Sequence, residues 1–226
     1  MYTIINLLVI LPVLALSFDK KVHFYSYFKP LFKSIVLVGT LFLLWDYVFT
    51  LHGVWGFNPK YLSGIYFFNL PLGEVLFFVT VPYACLFIDA CYHEYIGVKM
   101  NKWVILSMIT IYLILYLLFV QDNFGWYSLS NLFYFTILIF SMYINHPKLL
   151  YSFFPSFLIS LVPFFIVNGI LTGTGLEEEI VWYRENQFSG VRMFTIPYED
   201  ILYSFNLLMS VKFVMKKFQN KSNATA

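Results

Sequence analysis

The stretch LSGIYFFNLPLGEVLF, Leu62–Phe77, aligns without a gap on a second stretch of the same chain, FSGVRMFTIPYEDILY, Phe188–Tyr203. The Ser-Gly pair, the spacing of the apolar residues, the proline and the last acid all match. Recurrence of so long a pattern predicts an internal repeat, in which the helices around the first stretch are built again around the second.

The composition on either side of these stretches is that of a chain solvated by lipid. Of the 226 residues, 60% are apolar and 12% are charged, whereas soluble domains carry about 25% charged residues. The length suits one compact helical bundle without a separate soluble domain. There is no basic patch of the kind that binds nucleic acid. We therefore predict an integral membrane protein that does not bind nucleic acid.

Hydropathy predicts how many times the chain crosses the bilayer. A helical span needs about 20 mostly apolar residues, because lipid offers no hydrogen bonds to the backbone. The sequence thus predicts an all-α integral membrane protein with about seven transmembrane helices. The segments are Tyr2–Phe18, Leu31–Leu51, Pro71–Ala90, Trp103–Val120, Leu129–Ile144, Tyr151–Leu171 and Pro197–Met215.

The repeat fixes the expected order of these helices. Four residues of additional loop bring Asp46 over Asn168 and Thr50 over Thr172, so helices 2–3 recur as helices 6–7. Equivalent helices are four apart and cross in the same direction, which predicts a 3+1+3 parallel repeat. The predicted divisions are a first repeat (1–98), a linker helix (99–124), a second repeat (125–217) and a polar C-terminal tail (218–226).

The distribution of basic residues predicts the orientation. Eleven lysines lie in the loops after helices 1, 3 and 5 and around the C-terminal end, against three basic residues on the opposite side. The positive-inside rule then puts the N-terminus outside and the C-terminus in the cytoplasm. The two aligned stretches both face outward.

Acidic side chains follow the proline in each stretch. Glu74 lies three residues after Pro71, and Glu199 and Asp200 lie two and three after Pro197. Proline suits the first turn of a helix, where free N–H groups and the helix dipole favour negative charge. Paired carboxyl groups beside apolar residues can hold one proton donor and one acceptor. Helix capping is the alternative explanation.

Two further charged residues accompany these acids. Asp46 lies inside helix 2, and ionisable residues within membrane spans are candidates for function. Arg192 lies five residues before the second proline and could pair with Glu74, Glu199 or Asp200. Both residues are therefore candidate members of one site.

Aromatic residues are concentrated before each acidic motif, among them Trp55 and Trp182. Such residues form belts at membrane interfaces. Their ring faces can also stabilise a cation inside a cavity. The sequence alone leaves both explanations open.

These motifs together resemble the small membrane-embedded lycopene cyclases, in the form in which the two subunits of the bacterial type are fused in one chain. The resemblance covers nearly the whole sequence. Its motifs are WDxxFTxxGVWGFN (Trp45–Asn58), YLSG (Tyr61–Gly64), LPLGE (Leu70–Glu74), NGILTGTG (Asn168–Gly175), VWY (Val181–Tyr183) and TIPYED (Thr195–Asp200).

The resemblance implies an isomerase of the intramolecular lyase type, which cyclises the ends of lycopene or a related C40 carotenoid without net redox change. It implies catalytic roles for Glu74, Glu199 and Asp200. The supporting or substrate-binding residues would be Asp46, Trp55, Asn58, Asn168, Thr172, Trp182 and Arg192. No metal and no cofactor are expected, and no dinucleotide-binding motif is present. The expected surroundings are a bacterial plasma membrane, with a homo-oligomer or carotenoid-pathway enzymes as partners.

The sequence departs from the family pattern at Gly73, where the first motif would carry an acid. If this departure is costly, Gly73→Glu is expected to raise activity, and Glu199→Gln is expected to abolish it. Two alternatives stay open. One is a small transporter with the same 3+1+3 arrangement, and the other is a degenerate cyclase homologue that binds carotenoid without converting it.

Overall fold

The structure, a computed structural model, describes residues 1–120 and 125–224, with side chains described as far as Asn220. Within these residues the chain forms seven α-helices and three small two-stranded sheets. The predicted all-α class with about seven helices is confirmed. The helices are α1 (Tyr2–Leu16), α2 (Phe28–Leu51), α3 (Leu72–Tyr95), α4 (Lys102–Val120), α5 (Trp126–Asn145), α6 (Pro147–Leu171) and α7 (Glu199–Ala224).

Length and apolar composition suit most of these helices to a bilayer. Five of the described helices, α2 to α6, are long and apolar enough to cross a membrane. Helix α1 is apolar but has only 15 residues, and α7 has 26 residues with acids in its first turn. The chain is therefore an integral membrane protein.

The connections before α3 and α7 fold into matching hairpins. In each hairpin two very short strands pair, and a phenylalanine in the turn, Phe68 or Phe194, has a positive φ of 54° or 58°. The strands are β1 (Trp55–Phe57), β2 (Tyr66–Phe67), β3 (Leu70–Pro71), β4 (Val181–Tyr183), β5 (Arg192–Met193) and β6 (Ile196–Pro197).

The pairing of β1 with β4 joins the two halves of the chain. The strands are antiparallel, and Gly56 lies opposite Trp182 at the centre of the pair. A Cβ atom at Gly56 would lie 2.3 Å from the indole ring of Trp182. Glycine is required there because the tryptophan ring covers the backbone of the facing strand.

Helix packing follows the same twofold pattern. Helix α1 packs on α3 as α5 packs on α7, and α2 packs on α7 as α6 packs on α3. Helix α4 packs mainly on α6, and its Tyr112 ring stacks on Tyr198 with centroids 4.8 Å apart. The first turns of α3 and α7 are thereby brought together at the hairpin end of the bundle.

Some element boundaries differ from the predicted ones. Helix α7 continues to Ala224, so most of the predicted polar tail is helical. The last four residues of the predicted linker, 121–124, and residues 225–226 lie outside the described residues. The two prolines precede α3 and α7 as the last residues of β3 and β6, because the φ of −68° at Pro71 also suits an extended strand. The divisions between the repeats remain a prediction.

Candidate functional site

A small cavity lies among the helices near the hairpin end of the bundle, with a volume of about 50 Å³. Three carboxyl side chains line it, those of Asp46, Glu74 and Asp200. They come from α2, α3 and α7, and all three are at least 92% buried. Aromatic and apolar side chains form the rest of the wall, among them Trp55, Phe57, Phe77, Phe164, Leu171, Val181, Tyr203, Leu207 and Leu208.

Glu74 is placed by the first turn of α3. Its Oε2 accepts a hydrogen bond of 2.5 Å from the hydroxyl of Tyr2, at the start of α1. Asp46 lies beside it on α2, where its Oδ1 accepts from the indole N–H of Trp55. The Oδ2 atom of Asp46 is buried without a hydrogen-bond partner among the described residues. This side of the cavity therefore holds two carboxyl groups and few donors.

Asp200 is placed by the first turn of α7 and has more donors. Its Oδ1 accepts from the hydroxyl of Tyr127 at 2.5 Å. Its Oδ2 accepts from the amide of Asn168 at 2.7 Å and from the hydroxyl of Tyr183 at 3.1 Å. Burial and the nearby Asp200 carboxylate raise the pKa of Tyr183 well above its ordinary value. Tyr183 therefore remains a protonated donor.

The hydrogen bonds around Glu74 and Asp200 are equivalent in the two halves. Tyr2 donates to Glu74 as Tyr127 donates to Asp200. Asn6 of α1 donates to the backbone carbonyl of Gly73 at 2.9 Å. Asn131 of α5 donates at 2.8 Å to the backbone carbonyl of Glu199, the residue that matches Gly73 in the second half. The halves therefore place Glu74 and Asp200 in matching positions.

Glu199 lies outside the cavity. Its side chain is fully buried, and its Oε1 accepts from the hydroxyl of Ser128 at 2.6 Å and from the backbone N–H of Ser189 at 2.7 Å. Neighbouring residues of a helix point about 100° apart, so Glu199 and Asp200 face different surroundings. Glu199 holds the second hairpin and α5 to the start of α7.

Gly73 is the counterpart of Glu199 in the first half. A Cβ atom there would lie 2.5 Å from Cγ of Tyr2 and 2.7 Å from its Cδ1. The tyrosine ring therefore occupies the space into which a side chain at position 73 would extend. A side chain at position 73 would require the Tyr2 ring to shift from its contact with Glu74, and the expectation that Gly73→Glu raises activity stays a prediction.

The remaining predicted residues are distributed around the cavity. Trp55 and Asn168 line it. Thr172 bonds to the carbonyl of Asn168 at 2.9 Å and to the hydroxyl of Thr195, outside the cavity wall. Trp182 covers Gly56 at the strand pair between the halves, and its side chain is 39% exposed.

The last two predicted residues join loops at the surface. Asn58 donates to Glu178 at 2.6 Å. Arg192 donates to the carbonyl of Thr195 at 2.6 Å and lies 3.8 Å from Glu179. Arg192 thus contacts Glu179 in the loop before β4 and no motif acid, because its guanidinium lies over the rings of Tyr183 and Phe188. Neither residue lines the cavity, and a supporting role for them stays a prediction.

Sequence reasoning missed the two tyrosines that bond to the cavity acids. Tyr2 is the first residue of α1 and Tyr127 is the second residue of α5. Each is followed four residues later by an asparagine, in YTIIN (Tyr2–Asn6) and YSLSN (Tyr127–Asn131). Each asparagine donates to the carbonyl of the residue before the cavity acid. Alignment of these two short segments would have extended the repeat to the first helix of each half.

These features define a membrane-embedded protein with three carboxyl groups gathered in a buried, aromatic-lined cavity between two similar halves. The model of the lycopene cyclase family matches the chain over residues 1–92 and 123–218. The chain belongs to the lycopene cyclase family, which indicates an enzyme of carotenoid biosynthesis. The transporter alternative receives no support from this match. Among curated proteins and among solved structures, no match to the chain was found.

Proposed function

We propose that this chain converts the linear ends of lycopene to β-ionone rings by proton transfer, as an isomerase of the intramolecular lyase type. One observation carries the proposal. Glu74 and Asp200 come from equivalent positions of the two halves and line the same buried cavity. Acid–base catalysis needs a donor and an acceptor within reach of one substrate, and this pair meets that need.

The proposed reaction begins when a carboxylic acid adds its proton to the terminal double bond, which leaves a tertiary cation. The neighbouring double bond attacks this cation and forms the carbon–carbon bond of a six-membered ring. A carboxylate then removes a proton from the ring, and a new double bond forms. One proton enters and one leaves for each ring, so no oxidant or reductant is consumed.

Hydrogen bonding favours Asp200 as the base. Its two oxygens accept from Tyr127, Asn168 and Tyr183. Hydrogen bonds donated to a carboxylate stabilise its charged form. A carboxylate held in this way is ready to accept the ring proton.

The opposite side of the cavity favours Glu74 as the acid. Among the described residues, the Glu74 carboxyl has one hydrogen-bonding partner, Tyr2, whose hydroxyl can accept a hydrogen bond from a protonated carboxyl as well as donate one. Asp46 lines the same cavity, and two neighbouring carboxyl groups in an apolar site tend to share one proton. The equivalent of Asp46 in the second half is the neutral Asn168. Because Asp46 is a carboxyl group and Asn168 is a neutral donor, the Glu74 side of the cavity favours a bound proton and the Asp200 side favours a charged carboxylate.

The aromatic wall suits the cation formed between the two steps. Trp55, Phe77 and Tyr203 line the cavity, and the faces of aromatic rings attract a cation. The Trp55 and Tyr127 rings meet edge to face with centroids 5.1 Å apart. Rings fixed in this way can stabilise positive charge without a nucleophile that would capture it.

The departure at Gly73 removes no carboxyl group from this mechanism. Its counterpart, Glu199, lies outside the cavity, whereas Glu74 and Asp200 line it. We therefore favour an active cyclase over a degenerate homologue that only binds carotenoid.

The size of the cavity adds a requirement for movement. A volume of about 50 Å³ holds a few water molecules, and a ring with three methyl groups is larger. Substrate from the bilayer would enter as aromatic side chains such as Tyr203 and Phe77 turn aside. We propose that this occurs in a bacterial plasma membrane, with the hairpin end of the bundle outside and the C-terminus in the cytoplasm.

Expression in a lycopene-accumulating bacterial host tests the proposal. Pigment chromatography should show carotenes with one or two rings, in proportion to the amount of protein found in the membrane. Unchanged lycopene, with the folded protein present at normal amounts, would contradict a cyclase and favour the degenerate homologue.

Turnover in D₂O tests the proton-transfer step. With protein reconstituted in liposomes, each ring should gain one deuterium, because the acid exchanges with solvent between turnovers. Mass spectrometry of the product counts the deuterium atoms. Rings formed without deuterium would exclude a solvent-exchanged acid as the proton donor.

A further inference from the structure

A second and much larger cavity lies at the opposite end of the bundle, with a volume of about 1130 Å³. It opens among the ends of α2, α3, α5, α6 and α7 that carry most of the lysines. Its volume lies slightly above the range of about 300–1,000 Å³ for pockets that hold small molecules. Neither the repeat nor the cyclisation chemistry accounts for it.

Positive charge dominates the wall of this cavity. Five lysines line it, with two acids, Asp89 and Glu94. Asp89 is already paired, because it binds the ammonium group of Lys212 and accepts a bond of 2.5 Å from Ser156. Four lysines therefore remain against one exposed glutamate. They are Lys29, Lys148, Lys216 and Lys217.

The start of α6 adds to the attraction for an anion. Helix α6 begins at Pro147 on the cavity wall, and its first turn contains a lysine and no acid. The helix dipole favours negative charge at the start of a helix. A negatively charged group beside Lys148 would thus meet both a cation and a helix N-terminus.

Apolar side chains form another part of the same cavity. Leu86 and Met215 are buried in its wall, beside the half-buried Phe213. A small inorganic ion would leave this surface uncovered. A molecule with a charged head and a hydrocarbon chain would contact both parts.

We propose that this cavity binds the phosphate headgroup of an anionic membrane lipid, with part of an acyl chain along the apolar wall. The lysines and the start of α6 would hold the phosphate, since basic pockets at the ends of transmembrane helices suit lipid headgroups. The proposal does not depend on the cyclase function, because the cavity lies at the other end of the bundle from the carboxyl groups.

The test compares three soluble probes on the purified full-length chain in neutral detergent, by native mass spectrometry and thermophoresis. The probes are dioctanoyl phosphatidylglycerol, dioctanoylglycerol and inorganic phosphate. The phospholipid should bind saturably and at least about tenfold more tightly than either other probe. Equal binding of dioctanoylglycerol would overturn a role for the phosphate, and equal binding of inorganic phosphate would overturn a lipid site.

Two variants with the same loss of charge locate the site. Lys148→Gln/Lys216→Gln/Lys217→Gln removes three lysines of the cavity, and Lys20→Gln/Lys21→Gln/Lys99→Gln removes three from the same end outside it. Both leave the Asp89 ion pair intact, and circular dichroism checks that both fold.

Phospholipid affinity should fall about tenfold or more in the cavity variant and by less than about twofold in the control. An equal fall in both would show general surface attraction, and no fall in either would place the lipid elsewhere. Each of these two results would overturn the proposal.

Discussion

Replacing Gly73 by alanine places a methyl group against the ring of Tyr2, with Cβ 2.5 Å from the ring Cγ. Tyr2 is 1% exposed, and its ring cannot turn outward without losing its contacts with Gly73 and Glu74 of α3. Overpacking of this kind costs about 1–3 kcal/mol, and loss of the Tyr2–Glu74 hydrogen bond costs about 1 kcal/mol more. The sum of about 2–4 kcal/mol should lower the midpoint of thermal unfolding by roughly 4–16 °C.

Thermal unfolding in detergent, followed by tryptophan fluorescence, measures this shift. Gly39→Ala is the matched control, because it is also a helical glycine but its Cβ would lie 3.5 Å from the nearest atom, an ordinary contact. That variant should unfold at or slightly above the original midpoint, since alanine favours helix over glycine. Gly73→Ala should cost less in a Tyr2→Ala background than in the original chain, because the ring that clashes is absent there. A midpoint for Gly73→Ala equal to that of Gly39→Ala would refute the steric argument.

Two further predictions concern buried polar groups. Lys212→Met leaves Asp89 buried without the lysine ammonium group and should destabilise the fold by about 3–5 kcal/mol. Combining it with Asp89→Asn should recover most of this loss of stability. Equal unfolding midpoints for the single and double variants would contradict the buried ion pair. Ser128→Ala removes a hydrogen bond to Glu199 and should destabilise by about 1–3 kcal/mol. Thr3→Val should be neutral or stabilising, because the Thr3 hydroxyl is buried without a hydrogen-bond partner among the described residues. Chemical unfolding in detergent would measure the free energy of unfolding of Ser128→Ala and of Thr3→Val. An equal loss of stability in the two variants would contradict this prediction.

Hydropathy and the repeat were sufficient to predict the seven helices, because lipid restricts spanning segments to long apolar runs. Predicted and observed ends agree at Leu51, Val120 and Leu171. The short strands were missed, since pairs of two or three residues are too short to show an alternating pattern. The β1–β4 pair in particular joins residues more than a hundred positions apart.

The acids of the candidate site could be predicted from the sequence, but which of them line the cavity and which lie outside it could not. Sequence adjacency grouped Glu199 with Asp200, whereas the helical rotation between neighbours directs only Asp200 into the cavity. The contact between Tyr2 and Glu74 joins the first helix to the third, and no local spacing reveals such a bond. The space taken by the Tyr2 ring likewise explains why Gly73 is accommodated, which composition and motif alone could not indicate.

Under the proposed function, Glu74 and Asp200 transfer the protons of ring formation, while Glu199 only holds the start of α7. The most direct test measures carotene rings formed per folded protein in liposomes for Glu74→Gln, Asp200→Asn and Glu199→Gln. A positioned acid or base contributes about 10²–10⁴ in rate, so the first two variants should lose at least about a hundredfold. Glu199→Gln should retain measurable turnover with a lower unfolding midpoint. Full activity of Glu74→Gln or Asp200→Asn would contradict these roles, and so would a folded Glu199→Gln variant as inactive as Asp200→Asn.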